Sequence, residues 1–185
     1  AIVTLGKDID YSNDEADADV PETLPSFNQL GGDNAPFNGV FDGAGYAIAN
    51  FAVQADSAGS GGFFKNVSDT AVVKNLNIEN AVLVVTNADS LLTYSNGEDI
   101  GEQKDTIYIA VFADKNGGKL KNCSFAGRIK VDESILNSGK EVKVCFTGEN
   151  TSDTVAIDHA FIYLFDDEKP ADEGNKVCIV IKQHI

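Results

Sequence analysis

The chain has no Met and no Trp, a single Arg, four Pro and three Cys among its 185 residues. It also has no apolar run of about 18 residues, the length that a membrane-spanning helix needs, so we expect no membrane insertion. Because an initiator Met is missing, we expect a mature or excised chain, with any signal peptide lying outside it. We also expect this chain to be part of a larger multidomain protein.

Basic residues are scarce as well. Lys and Arg number 14 against 29 Asp and Glu, which gives a formal net charge of −15. Binding to phosphate backbones requires clustered Lys and Arg, so this charge disfavours nucleic acid as a partner. An anionic membrane surface is disfavoured for the same reason.

The sequence contains few groups for redox, metal or nucleophilic chemistry. Cys123, Cys145 and Cys178 are widely spaced and odd in number, so they match neither a zinc motif nor a disulfide framework. We expect them to be small buried hydrophobes, with one oxidised pair as the alternative. His159 and His184 are the only histidines, and no G-x-S-x-G motif accompanies them. The sequence therefore predicts no catalytic residue, no cofactor and no metal.

An internal repeat is the strongest feature. Four segments place an Asn or Asp between apolar residues, and their spacing is about two dozen residues once two insertions are allowed for. If the repeats stack in register, one residue of each lies in a column at a turn, where amides bond the backbone and each other. The predicted structural column consists of Asn50, Asn75, Asn122 and Asp158. This register puts His159 level with Phe51, Leu76 and Cys123, so we expect it to face inward near the end of the stack.

Aromatic residues recur upstream of these positions, at Phe41, Phe64, Phe112 and Phe146. Short β-branched runs separated by Gly and Asn surround them, and no long helical periodicity is present. Short strands with a period in the twenties predict an all-β fold, a parallel β-helix of about four to five coils.

Parts of the sequence resemble bacterial cell-surface β-helix modules. Residues 5–11 contain D-I-D, residues 37–51 contain F-N-G-V-F-D-G-A-G-Y-A-I-A-N-F, and residues 111–123 are similar to a GLUG repeat. The resemblance covers roughly residues 1–131. It implies a right-handed β-helix of pectate-lyase-like architecture in a secreted, adhesin-like protein at the cell surface. It implies no shared set of catalytic residues.

We expect a single domain over residues 1–185. Residues 1–36 form an N-terminal strand and capping region, residues 37–165 form the repeat coils, and residues 166–185 form a C-terminal strand or cap. The polar, acidic residues 166–176 are expected to be a loop that joins two strands, 161–165 and 177–181, and this pair forms the last coil or caps the open end. Two insertions, 86–106 and 132–141, interrupt the coils directly after the strands that end at Val85 and Val131.

These insertions are the predicted ligand-binding loops, because loops on one face of a repeat protein commonly form its binding surface. The candidate residues are Tyr94, Asn96, Glu98 and Asp99, with Tyr94 able to stack on a sugar. The alternative is that the loops only cover the column.

Acidic residues suggest two further sites, each with a structural alternative. Asp8, Asp10, Asp14, Glu15, Asp17 and Asp19 form a dense run. Calcium takes six to eight oxygen ligands, but the spacing matches no EF-hand loop, so a solvated loop is favoured. Asp42 precedes Gly43 and is expected to cap a turn rather than to act as a glycosidase carboxylate.

The sequence thus favours a non-catalytic extracellular module of a bacterial protein, acting as an adhesive, ligand-binding or spacer domain. A glycan or a host or cell-surface protein is the expected partner. The alternative function is a carbohydrate-active enzyme, or an accessory glycan-binding domain, of the β-helix type.

Overall fold

The computed structural model describes residues 1–12, 24–55, 61–86, 94–95, 98–99, 106–164, 167–171 and 178–181. The strands in chain order are β1 (Ile2–Thr4), β2 (Ile9–Asp10), β3 (Val40–Asp42), β4 (Ala47–Gln54), β5 (Phe64–Val67), β6 (Val72–Lys74), β7 (Asn77–Val85), β8 (Tyr94–Ser95), β9 (Glu98–Asp99), β10 (Thr106–Asn116), β11 (Lys119–Val131), β12 (Glu141–Asn150), β13 (Ala156–Leu164), β14 (Asp167–Ala171) and β15 (Cys178–Ile181). A one-turn helix, α1 (Glu133–Leu136), joins β11 to β12. The prediction of an all-β fold is confirmed.

Parallel pairing between strands far apart in sequence organises the fold. One series runs β1-β3-β6-β11, a second runs β2-β4-β7-β11, and β13 pairs with the other side of β11. A third series, β5-β10-β12, forms a separate sheet. Because every one of these pairs is parallel, the chain must return to the same end of each sheet before it adds the next strand.

Antiparallel strands complete both sheets near the end of the chain. β14 pairs with β13, and β15 pairs with β12, both antiparallel. The strands expected from sequence at 161–165 and 177–181 therefore belong to different sheets, and the loop expected at 166–176 contains β14. Each parallel series ends on a strand of reversed direction, which covers the backbone groups that a bare edge would expose.

Aromatic rings fill the core between the sheets. Phe64, Phe112 and Phe146 follow one another, with ring centroids 5.8 Å and then 4.5 Å apart, as their recurrence predicts. All three are 1% exposed or less. Phe41 lies on β3 and meets Phe64 edge-on at 6.2 Å, so it joins this core from another sheet. Burial of such large side chains is the main stabilising term in a fold with so little helix.

One close approach between strands requires a glycine. A Cβ placed on Gly127 of β11 would lie 2.0 Å from the carbonyl oxygen of Ala81 on β7. Gly127 is opposite Ala81 where the register between the two strands shifts. Only a residue without a side chain lets the two backbones meet here.

Candidate functional site

The two insertions start and finish at paired positions. Val131 lies opposite Val85 in the register of β11 and β7, and the backbone amide of Asp132 donates to the Val85 carbonyl over 2.9 Å. The strands that follow the insertions are also paired, with Thr106 opposite Glu141. Parallel strands end at the same edge, so both insertions leave from one edge of the stack and return to one edge.

The shorter insertion is anchored by its helix. Asp132 is the N-cap of α1, and its Oδ1 accepts a hydrogen bond of 2.8 Å from the backbone amide of Ser134. Hydrogen bonds from the Ser134 hydroxyl and from its backbone amide hold the pKa of Asp132 below its usual value. On the inner side of the helix, Ile135 is 3% exposed and belongs to the hydrophobic core. The segment 132–141 is therefore attached to the body of the protein by its own apolar residue.

The longer insertion contains a small hairpin. β8 and β9 pair antiparallel, with Tyr94 opposite Asp99 and Ser95 opposite Glu98, and the hairpin lies against β12. The structure thus brings together the backbones of three predicted site residues, Tyr94, Glu98 and Asp99. The fourth, Asn96, lies outside the described residues.

The predicted Asn column is wrong in its register, because the structure has two columns. In the first, Asn75 Nδ2 donates to Asp42 Oδ1 over 3.1 Å and Asn122 Nδ2 donates to Asn75 Oδ1 over 3.0 Å. In the second, Asn50 Nδ2 donates to Asp10 Oδ1 over 2.7 Å and Asn80 donates to Asn50 over 2.6 Å. Asn50 therefore stacks on Asn80 and not on Asn75. We call these the first and second amide ladders.

The ladders stand where the backbone turns through the left-handed region. Asn50, Asn75, Asn80 and Asn122 all have φ between 46° and 64°. Asn tolerates this conformation better than other residues with a side chain, since its short amide can bond nearby groups. The pattern that places Asn at these positions is thus explained by the turn and by the ladder together.

The fourth repeat is displaced by one residue from the prediction. Asp158 lies opposite Lys121, so His159, with φ of 56°, occupies the level of Asn122. His159 is exposed and pairs through Nδ1 with Asp158 Oδ1 at 2.6 Å, and Ala160 takes the buried place opposite Cys123. The expectation of an inward-facing His159 is therefore wrong. His184 lies outside the described residues.

The Asp42 carboxylate, considered above as a glycosidase candidate, accepts hydrogen bonds from the backbone and from the first amide ladder. Asp42 Oδ1 accepts the Ala44 amide over 2.9 Å, as expected for a turn cap, and Lys74 lies 3.2 Å from its other oxygen. Hydrogen bonds from Ala44 and Asn75, with the Lys74 charge, keep the pKa of Asp42 below its usual value. A proton donor for glycoside cleavage needs the opposite shift, so this environment does not suit Asp42 to that role.

The acidic run near the start is described only in part. Asp8 accepts the amide of Ala47 over 2.8 Å, and Asp10 accepts bonds from Asn50 and Ser12. The bond from Asn50 is the main cause of the lowered pKa of Asp10. Asp14, Glu15, Asp17 and Asp19 lie outside the described residues. Among those described, no three His, Cys, Asp or Glu side chains are grouped to hold a metal ion.

The cysteines differ from one another. Cys145 is disulfide-bonded, and Cys178 lies opposite it in the antiparallel register of β12 and β15. Cys123 is a free thiol that is 1% exposed, and burial raises its pKa to about 11. Cys145 therefore follows the alternative prediction of one oxidised pair. Cys123 follows the main prediction of a small, buried hydrophobic residue.

One buried polar cluster, formed by Gln29, Gly62 and Asp114, was not predicted from the sequence. Asp114 is 5% exposed and accepts the Gly62 amide over 2.9 Å and Gln29 Nε2 over 2.8 Å. A Cβ on Gly62 would approach the Asp114 carboxylate to 2.8 Å, so the glycine makes room for it. The sequence signal was weak, since Gly62 and Asp114 are 52 residues apart.

An overlooked repeat would have corrected the register of the last unit. Ser68-Asp69-Thr70 and Ser152-Asp153-Thr154 precede equivalent strands, and in each the two hydroxyls lie within 3.1 Å of one another. Aligning these tripeptides places Asn75 level with His159, as the structure does.

Comparison with known proteins adds no family. No family model matches the chain, and no curated protein or solved structure matches it. The described part of the chain holds no helix with the length and apolar character required to cross a bilayer. The protein is therefore an all-β protein with parallel sheets, two amide ladders and two insertions at one edge.

Proposed function

We propose that this chain is a right-handed parallel β-helix that serves as a non-catalytic, ligand-presenting module of a secreted or surface-anchored bacterial protein. The observation that carries the proposal is the pairing of the insertions at Val85 with Val131 and at Thr106 with Glu141. Insertions that leave and rejoin a regular stack at paired positions are the usual origin of a binding face on a repeat protein.

The β-helix itself is supported by three parallel series that the chain visits in turn. β3, β4 and β5 are followed along the chain by β6, β7 and β10. Each strand of the second set pairs in parallel with its counterpart in the first: β6 with β3, β7 with β4 and β10 with β5. Parallel connections of this kind are right-handed in nearly all proteins. The resemblance of residues 37–51 and 111–123 to GLUG-type modules agrees with this geometry.

An extracellular setting is supported by the disulfide at Cys145, since disulfides persist mainly in oxidising compartments. The net charge of −15 favours an exposed, soluble surface. A non-catalytic role is supported by Asp42 and Asp10, whose carboxylates serve in the ladders and have lowered pKa values.

The location can be tested in the bacterium that encodes the gene. Antibody raised against residues 1–185 should label intact cells or the culture medium, and protease added outside should remove the cell-associated signal. Labelling that appears only after permeabilisation would contradict the proposal.

The binding role can be tested with a variant in which residues 133–140 are replaced by a Gly-Ser linker. Wild type and variant are compared on an array of glycans and host matrix proteins, with folding checked by circular dichroism. Because the replacement removes Ile135, Ile135→Ala is the matched control for lost packing. Binding that falls in the linker variant alone supports the proposal. New reducing ends in an array polysaccharide would instead favour a carbohydrate-active enzyme.

A further inference from the structure

A pair of aromatic rings stands on the outer face of β13. The burial of this strand alternates, with Ala160 and Ile162 in the core and Phe161 and Tyr163 on the opposite side. The two outer rings are nearly parallel, with an interplanar angle of 16° and centroids 6.5 Å apart. Tyr163 is 42% exposed. Phe161 is half-buried, so the pair offers an apolar surface of which the Tyr163 ring is the exposed part.

The neighbouring strands extend this surface with small and polar side chains. Phe161 lies opposite Ser124 and Tyr163 opposite Ala126 on β11. Ser124 in turn lies opposite Asn77 of β7, and Glu79 follows on the same side. We call these six residues the β13 shelf. Three strands at the usual spacing make it about 10 Å wide.

Polar groups on the shelf are held in place. Ser124 Oγ donates to Asn77 Oδ1 over 2.8 Å, and Asn77 Nδ2 donates to the Gly45 carbonyl over 3.0 Å. Glu79 is exposed at the next outward position of β7. A ligand that lies on the rings therefore meets preorganised oxygen atoms within the next two strands.

This combination suits a sugar ring better than a protein partner. A stable protein interface covers about 800 Å² on each side and has an apolar centre, whereas the shelf has two rings beside small and polar residues. Pyranose rings have an apolar C–H face that stacks on aromatic rings and hydroxyl edges that bond Ser, Asn and Glu. Net charge of −15 disfavours acidic glycans.

We infer that the β13 shelf binds a neutral oligosaccharide, with sugar rings stacked on Phe161 and Tyr163. This inference deepens the proposed function by naming a ligand class, and it rests on that proposal only for the extracellular setting. The shelf is separate from the insertions, which leave β7 and β11 at Val85 and Val131, farther along both strands.

The test uses the 1–185 chain and three neutral probes, cellohexaose, xylohexaose and mannohexaose. Binding is monitored through amide chemical shifts in two-dimensional NMR. At least one probe should shift the amides of Ser124, Ala126, Phe161 and Tyr163 at concentrations up to about 10 mM. Tyr163→Ala should weaken the affinity about tenfold, and Tyr163→Phe should retain it within about threefold, because stacking needs the ring and not the hydroxyl.

Tyr108→Ala is the matched control, since Tyr108 is a half-buried tyrosine on β10 of the other sheet. It should bind the probe as wild type does. The linker variant of residues 133–140 should also bind normally, which separates this inference from the insertion surface. Loss of array binding in that variant with normal oligosaccharide binding would support both proposals.

Three outcomes would overturn the inference. The first is the absence of shifts with all three oligosaccharides, and the second is unchanged affinity in Tyr163→Ala. The third is a concentration-dependent dimer in sedimentation that Tyr163→Ala abolishes, which would make the shelf a contact between two copies of the chain. None of these outcomes affects the labelling of intact cells, so the proposed extracellular location is tested independently of the shelf.

Discussion

Asn122 donates from Nδ2 to Oδ1 of Asn75 over 3.0 Å, although the two residues are 47 positions apart. Asn75 donates in the same way to Asp42. The Asn75 amide thus accepts from one side and donates to the other, which is the bonding that stacked amides use along a column. Asn75 and Asn122 have a left-handed φ, and Asp42 caps the turn at Ala44, so the first amide ladder couples local backbone conformation to the register of the sheets.

Replacing Asn75 tests this coupling. Asn75→Ala removes the ladder bonds and leaves at φ of 53° a residue without the amide that helps Asn to adopt this conformation. We expect the free energy of unfolding in urea to fall by about 2 kcal/mol, from one net hydrogen bond and the left-handed backbone. Asn75→Gly should fall by less because glycine accepts this φ. Asn137→Ala, at an exposed position with ordinary φ, should stay close to wild type. Equal losses in Asn75→Ala and Asn75→Gly would argue against backbone strain.

Acid should weaken the fold through the ladder carboxylates. The pKa values of Asp42 and Asp10 are lowered in the folded state from 3.8. A lowered pKa means that the unfolded chain binds protons more readily, so the stabilisation is complete above 3.8 and is lost as pH falls through the folded values. The free energy of unfolding in urea, measured between about pH 5 and pH 2, should fall less steeply with decreasing pH in the double variant Asp10→Asn, Asp42→Asn than in wild type. Identical slopes would show that these groups do not contribute.

The three thiols should be distinguishable by counting. Without reductant, denatured protein should react with Ellman's reagent at one thiol, because Cys145 is disulfide-bonded and Cys123 is free. After reduction, all three cysteines should react. In the folded protein at pH 8, Cys123 should be almost inert, because its pKa is about 11 and it is buried. Rapid labelling of the folded protein would contradict the position of Cys123 in the core.

Gly127 should be intolerant of a side chain. Gly127→Ala places a Cβ 2.0 Å from the Ala81 carbonyl oxygen, so β7 and β11 must separate. We expect a loss of about 1–3 kcal/mol in the free energy of unfolding, the range for overpacked sites. Gly6→Ala is the control, since a Cβ there meets no heavy atom within 4 Å. A Gly127→Ala variant as stable as Gly6→Ala would mean that the strands lie farther apart.

Sequence patterns predicted the elements better than their register. The recurrence of Phe64, Phe112 and Phe146 was enough to identify a shared core column, because large apolar residues at one strand position have few other places to go. The predicted registers of Asn50 and of the last repeat were wrong because a single Asn is too little sequence to align two repeats. Ile48-Ala49-Asn50 matches Ile78-Glu79-Asn80 as well as it matches the segment around Asn75, and the structure pairs the former.

Long-range polar contacts were beyond pattern analysis for a physical reason. The bond between Gln29 and Asp114 joins residues 85 positions apart and depends on how two loops pack against β10. The β13 shelf likewise depends on which face of β13 points outward. That face is set by the one-residue shift that puts His159 at the turn, and a shift of one residue inverts every side chain of a strand.

The spacing of the ladders has an engineering consequence. Partners along them are separated by 30, 33, 40 and 47 residues, yet their hydrogen bonds are 2.6–3.1 Å long. The column therefore tolerates very different lengths of intervening chain, as expected when closing a longer loop costs little extra entropy. The edge beside Val85 and Val131 can act as a grafting point, where foreign peptides of varied length are displayed in pairs from one scaffold.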